Sequence, residues 1–275
     1  MKSSIKKYLF YLLVILFCLV SFFPIIWIAL SSFKNSSELY VFPIEYIPTS
    51  ITIQNYIDVF TKNQFGRYFL NSLFIASMTT VITITIAGLC AYALARLKFK
   101  TKGIVMIYVI AGSMLPMMAR LIPLFEILKS LNLLNTYTGM IIVYVALTLP
   151  LAVMILMTFF AKIPDDLENA ALVDGCTTLG AFVRIIVPLS APGLATAGIL
   201  TFIAAWNDFL IALTVITDPN MRTIPVGIAM YPGEYSFPWA TISAAIVIAV
   251  IPIVLFILFL QKRIITGLTA GGVKG

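Results

Sequence analysis

The chain contains no histidine among its 275 residues. The commonest catalytic base and the commonest nitrogen ligand for metals are therefore missing. Its three cysteines, Cys18, Cys90 and Cys176, lie far apart. That spacing supports neither a disulfide framework nor a Cys/His metal site. No G-x-x-x-x-G-K-[ST] stretch occurs, so the chain has no phosphate-cradling loop for ATP. No serine or cysteine nucleophile stands with a base, and no acid pair is placed for hydrolysis. Internal repeats and low-complexity tracts are also missing, and only 11% of residues are charged. A membrane-embedded enzyme has nothing here to work with.

Apolar residues are what the chain has in abundance. They make up 61% of it, and the mean hydropathy is +1.06. Runs of roughly 20 apolar residues recur, the length that crosses a bilayer as a helix. A backbone in lipid must satisfy its own hydrogen bonds, and the alternating ten-residue segments of a barrel do not occur. The expectation is an all-α integral membrane protein, a single domain over residues 1–275. Its six transmembrane helices are read at about 8–33, 67–96, 103–129, 137–160, 193–216 and 238–260. Pro24 bends the first, Pro116 and Pro123 break the third, and Pro150 lies inside the fourth. The second is rich in threonine, serine and alanine, which favours close contact between helices. Residues 34–66 read as an outer loop with short amphipathic pieces, and residues 261–275 as a short basic, glycine-rich tail.

The net charge of +7 reads as topology rather than as nucleic-acid binding. Lys2, Lys6, Lys7, Arg96, Lys98, Lys100, Lys102, Lys162, Arg184, Lys262, Arg263 and Lys274 fall on one side of a six-span arrangement. Lys34, Lys62, Arg67, Arg120, Lys129 and Arg222 fall on the other. The richer side is cytoplasmic, with both termini and the long loop between spans four and five.

That loop, residues 163–192, reads as a helix–turn–helix. Asp165 and Glu168 have the spacing of a capping box. Leu167, Ala170, Ala171 and Asp174 share one helical face, and the alanines permit close approach of another surface. Gly175 ends the helix in a left-handed conformation. Thr177 caps a second short helix carrying Leu179, Phe182, Val183 and Ile186, and Pro188 and Pro192 close the segment. With no ATP site in the chain, any energy from ATP must come from a partner, and this loop is the obvious place for such a partner to grip. An amphipathic helix lying on lipid would carry a basic polar face, whereas this one is acidic.

The stretch E-N-A-A-L-V-D-G (Glu168 to Gly175), followed by I-V-P-L-S (Ile186 to Ser190), resembles the signature loop of permease subunits of ABC importers. Asn169 and Val187 depart from the common pattern without removing the helix or the turn. N-S-L-F-I-A-S (Asn71 to Ser77), A-Y-A-L-A-R-L-K-F (Ala91 to Phe99), A-A-W-N-D-F-L (Ala204 to Leu210) and the tail G-L-T-A-G-G-V-K-G (Gly267 to Gly275) are similar to the carbohydrate-import branch, most of all to the smaller, maltose-type permease. The resemblance implies a non-catalytic subunit of a sugar importer in a prokaryotic cell membrane. It implies a second, larger permease, two ATPase subunits that bind the ATP and Mg, and an extracytoplasmic sugar-binding protein. It makes the loop a coupling helix, with Asp165, Glu168, Ala170, Ala171, Asp174, Gly175 and Pro188 at the ATPase, and Glu168 paired by a basic residue there. The tail, through Gly271, Gly272 and Lys274, reaches the same subunits. No cofactor or metal of its own is expected.

Trp206, Asn207 and Asp208 lie in mid-span and are candidates for the substrate pathway, since a charge inside a span marks function. The competing reading is a structural hydrogen bond for Asp208. Arg120 and Glu126 read as interface charges, and the methionines near Pro116 as packing. A self-sufficient secondary transporter or channel is the alternative. It would need its own substrate and ion sites and no docking loop.

Overall fold

The structure, a computed structural model, describes residues 2–231 and 237–272. Among these residues the regular structure is helical throughout. Four helices are long and apolar enough to cross a membrane, and up to six crossings result if each of two bent pairs counts as one. The chain divides into two compact units.

One unit comprises Met1–Gly66 and Gly227–Ile251. Helix α1 (Lys2–Ser31) is apolar on all sides, and Tyr8 to Ile26 are exposed along it. A folded polar loop follows. Lys34 is fully buried. Its ammonium donates to the Glu45 carbonyl and lies 4.8 Å from the Trp27 ring centroid. A buried charge needs such partners. Asn55, on α2 (Gln54–Thr61), ties the loop down by donating to the carbonyls of Ser32 (2.9 Å) and Lys34 (2.8 Å). Glu38 sits in a 3₁₀ turn, Ser36–Tyr40. The Thr49 N–H, and then the Ser50 hydroxyl, hold its carboxyl down from 4.5 to about 2.

The other unit comprises Arg67–Val226 and Pro252–Gly275. Helix α3 (Phe65–Arg96) uses its small residues as expected, with Ala76, Ala87 and Ala91 fully buried. Helix α6 (Tyr137–Phe160) matches its expected bounds, and Thr136 caps it by accepting from the Gly139 N–H at 3.0 Å. Its Ala152, Val153, Leu156 and Phe160 form a core with Ala87, Ala91, Tyr92 and Leu94 of α3 and with Ala197. Ala197 belongs to α10 (Ala191–Asn207). The Phe159 side chain of α6 packs directly on Gly193 of α10, where a Cβ would lie 2.4 Å from Phe159 Cγ.

The third span is broken at Pro116, as expected, into two helices, α4 (Lys102–Met114) and α5 (Met117–Ser130), which meet at 100°; Pro123, expected to break it too, lies inside α5. Pro116 forces the preceding residue into extended conformation, so the turn is sharper than a kink. Two expectations need correction. The fifth span is also broken. Helix α10 ends at Asn207, Asp208 is extended with ψ 127°, and α11 (Leu210–Val215) starts afresh. The last helix, α13 (Trp239–Gly272), continues twelve residues beyond the expected end at 260, so much of the expected tail is helical. Gly271 and Gly272 lie in its final turn, and Lys274 lies outside the described residues.

Candidate functional site

The loop after α6 folds as a short helix, a turn and a second helical stretch. Helix α7 spans Asp165–Val173. The N–H of Cys176 returns to the Ala171 carbonyl at 2.9 Å, and that of Gly175 to Leu172 at 3.1 Å. Gly175 takes φ +86°, the left-handed exit that glycine tolerates. Thr177 then caps α8 (Thr178–Ala181) by accepting from the Gly180 N–H at 3.1 Å. A π-turn, Phe182–Ile186, and α9 (Val187–Leu189) complete the stretch. Pro188 lies in α9 and is exposed.

The capping box does not form. Pro164 occupies the cap position and Asp165 is the first helical residue. Glu168 turns instead toward α3, where it is 9% exposed. The Tyr92 hydroxyl donates to its Oε1, and Arg96 Nε lies 3.8 Å from its Oε2. Arg96 also donates to the Asp165 carboxylate and the Ile163 carbonyl. Its own side chain is only 7% exposed. Ala171 is buried with Glu168. Phe182 stacks obliquely on Tyr92 at 4.9 Å and meets Phe160 edge-on at 6.1 Å. The inner side of the loop is thus clamped to α3 and α6 by one ion cluster and one aromatic cluster. Glu168 is thus engaged inside the chain, through the Tyr92 hydroxyl at Oε1 and the nearby Arg96 guanidinium at Oε2.

The outer side is unlike a surface turn. Val173 is 87% exposed, and Leu167, Leu172, Leu179 and Val183 are exposed beside it. Asp166, Ala170 and Asp174 are exposed too. The loop therefore exposes several large apolar side chains beside acidic ones. Of the residues expected on one face, Leu167, Ala170 and Asp174 are exposed, whereas Ala171 is buried.

The three pathway candidates separate in the structure. Trp206 is buried between Phe69, edge-on at 5.6 Å, and Phe202, stacked at 5.5 Å. Asn207 is exposed. Asp208 caps α11, with its Oδ1 accepting from the N–H groups of Ile211 (3.0 Å) and Ala212 (3.2 Å) and from the Tyr144 hydroxyl (2.9 Å). The structural hydrogen bond is therefore present. Asp208 also lines a cavity of about 170 Å³ with Arg120, Tyr144 and Thr148. Sequence reasoning set Arg120 apart from this group. The signal available was its position four residues beyond Pro116, next to a helix break.

Residues 83–269 match the family described as binding-protein-dependent transport system inner membrane components. The chain belongs to that family. Among curated relatives, this permease is 47% identical over 253 residues to the sulfoquinovosyl glycerol transport system permease of Agrobacterium fabrum, covering 92% of this chain and 89% of the other. It is 40% identical to the trehalose/maltose transport system permease of Thermococcus litoralis, covering 100% and 99%. It is 41% identical to the trehalose transport system permease of Mycobacterium tuberculosis, covering 92% of each. A solved chain from a bacterial ABC transporter that imports the acidic polysaccharide alginate has the same fold, with a TM-score of 0.86 at 21% identity over 96% of this permease and 98% of that chain.

Proposed function

We propose that the chain is the smaller permease of an ATP-driven sugar importer, forming half of a heterodimeric pathway with a larger permease. Sugar transport is the activity named for its full-length relatives, and oligosaccharides are the substrate class we favour. Six crossings are formed by α1, α3, α4 with α5, α6, α10 with α11, and α13. The basic termini and the loop after α6 face the cytoplasm. A sugar-binding protein delivers substrate from outside, and two ATPases bind and hydrolyse ATP with Mg inside. No catalytic step belongs to this chain.

The observation that carries the reading is the two-sided loop. Its outer face, with Val173, Leu167 and Leu179 exposed, fits a groove on an ATPase, with Asp165, Ala170, Asp174, Gly175 and Pro188 at or beside that contact. Its inner face is fixed to α3 and α6. When the ATPases close on ATP, a lever gripped outside and fixed inside turns the helices and opens the pathway outward. Such coupling exists only if the gripped contact differs in free energy between the two states. The C-terminal residues from Gly271 to Lys274 supply a second contact. A self-sufficient transporter would leave the loop's outer face without a use.

The test is to purify the complex with its ATPases and measure hydrolysis as the binding protein delivers trehalose, maltose or a longer oligosaccharide. Sugar-dependent stimulation is expected. Uptake into vesicles by this polypeptide alone would overturn the proposal.

A further inference from the structure

The two helix breaks meet at one place. The break between α4 and α5 precedes Arg120 by one turn, and the break between α10 and α11 is at Asp208 itself. Both side chains line the same 170 Å³ cavity, whose remaining polar lining is Tyr144 and Thr148 of α6. Tyr144 and Thr148 fall near the middle of that 24-residue apolar helix, so the cavity lies at depth in the bilayer. Interrupted helices at mid-membrane are where transporters place substrate, because the interruption frees backbone and polar side chains to face a cavity.

The polar groups are only partly used by the protein. Arg120 Nε is buried without a hydrogen-bond partner among the described residues, and its Nη1 reaches the Gly112 carbonyl only at 3.4 Å. The side chain as a whole is half-buried, and a buried N–H such as this Nε is costly to leave idle unless something else accepts from it. Thr148 shares its hydroxyl with Thr83 at 3.1 Å and donates to the Tyr144 carbonyl at 2.8 Å. Asp208 contributes the acceptor.

We propose that Arg120, Tyr144, Thr148 and Asp208 form a subsite at which this chain holds one hydroxyl-rich ring of its substrate during passage. A sugar hydroxyl accepts from the guanidinium and donates to the carboxylate at once. A site carrying one charge of each sign therefore suits an uncharged ring without demanding a charged one. The volume suits one ring, with the rest of an oligosaccharide lying beyond it. Met117 and Leu147 supply apolar cover for a ring face. The subsite rests on the sugar-importer reading, and it assigns part of sugar selection to this chain rather than to its partner.

The test uses the complete transporter in proteoliposomes with its binding protein, offered trehalose, maltose and sulfoquinovosyl glycerol in turn. The variants are Arg120→Gln, Asp208→Asn and Thr148→Val. Asparagine caps a helix as well as aspartate does, so α11 is retained. Thr148→Val removes only a hydroxyl and keeps the test decisive if either charge variant fails to assemble. The expected result is a fall in uptake of about tenfold for the charge variants, unequal between sugars, so that the ratio of two sugars shifts by about threefold or more. Equal proportional losses for every sugar, or unchanged uptake, would overturn the subsite while leaving the importer reading intact. A wild-type complex that hydrolyses ATP but moves none of the three sugars would overturn both.

Discussion

Replacing Arg96 by methionine tests the clamp that fixes the loop to α3. The substitution keeps most of the volume and removes the charge. Arg96 makes three contacts, and they are not equal. Asp165 is 81% exposed, and an ion pair so open to solvent contributes about 0–1 kcal/mol. The bond to the Ile163 carbonyl adds on the order of 1 kcal/mol. The dominant effect is on Glu168, whose side chain is 12% exposed. Without Arg96 its charge keeps only the Tyr92 hydroxyl. Leaving a buried charge without its counter-ion costs about 3–5 kcal/mol. An opening penalty near the lower bound, about 3 kcal/mol, corresponds to roughly a hundredfold loss of protection, since 1.4 kcal/mol is tenfold. Hydrogen exchange of the α7 amides in the purified complex reads this directly. Exchange over α7 should rise by about two orders of magnitude while the middle of α6 stays protected. Adding Glu168→Gln should restore part of that protection, because the stranded charge is then gone. Additive effects of the two substitutions would refute the reasoning, since groups that share one buried pair cannot act independently.

Gly175→Leu places a side chain at φ +86° with nothing within 4 Å of its Cβ. The cost is therefore backbone strain, about 1–2 kcal/mol, and the loop should leave α7 at another angle, giving ATP hydrolysis with little uptake in reconstituted vesicles. Gly193→Ala drives a methyl against Phe159 Cγ at 2.4 Å. Overpacking of this kind costs about 1–3 kcal/mol, read as a lowered melting temperature that Phe159→Leu partly restores. Glu38 titrates from an ordinary 4.5 to about 2 in the folded loop. A depressed carboxylate stabilises above its unfolded value and loses that contribution as pH falls through the folded one. Protease resistance of the loop around Glu38 should hold at pH 5 and decline between about pH 4.5 and 2, and Glu38→Gln should abolish that decline.

Periodicity and punctuation carried much of the architecture. Helix α6, the turn at Gly175 and the Thr177 cap all rest on local chemistry, and each stands where the residues put it. Glu168 did not, because a capping box and a buried ion pair use the same carboxylate. Nothing within α7 announces that Tyr92 and Arg96, a turn apart on α3, will meet it. The break at Asp208 was hidden by the apolar run around it. Asn207-Asp208 is nonetheless the kind of pair that starts a helix, and an Asp cap was the readable signal. Lys34 was counted as a loop charge on the outer side, yet it is buried. Whether a lysine is solvated depends on carbonyls and rings supplied from elsewhere in the loop, which local composition does not reveal. The continuation of α13 shows the opposite case, where several glycines did not end a helix begun by a long apolar run.

Everything functional turns on the outer face of α7 being held by an ATP-hydrolysing neighbour. Val173, at 87% exposure, is the position to probe. Val173→Cys, in a chain whose Cys18, Cys90 and Cys176 are replaced by serine, should cross-link to a nucleotide-hydrolysing subunit in membranes, and the link should block uptake. A cysteine at Val173 that reacts freely with a water-soluble thiol reagent in the active complex, and never links to such a subunit, would contradict it.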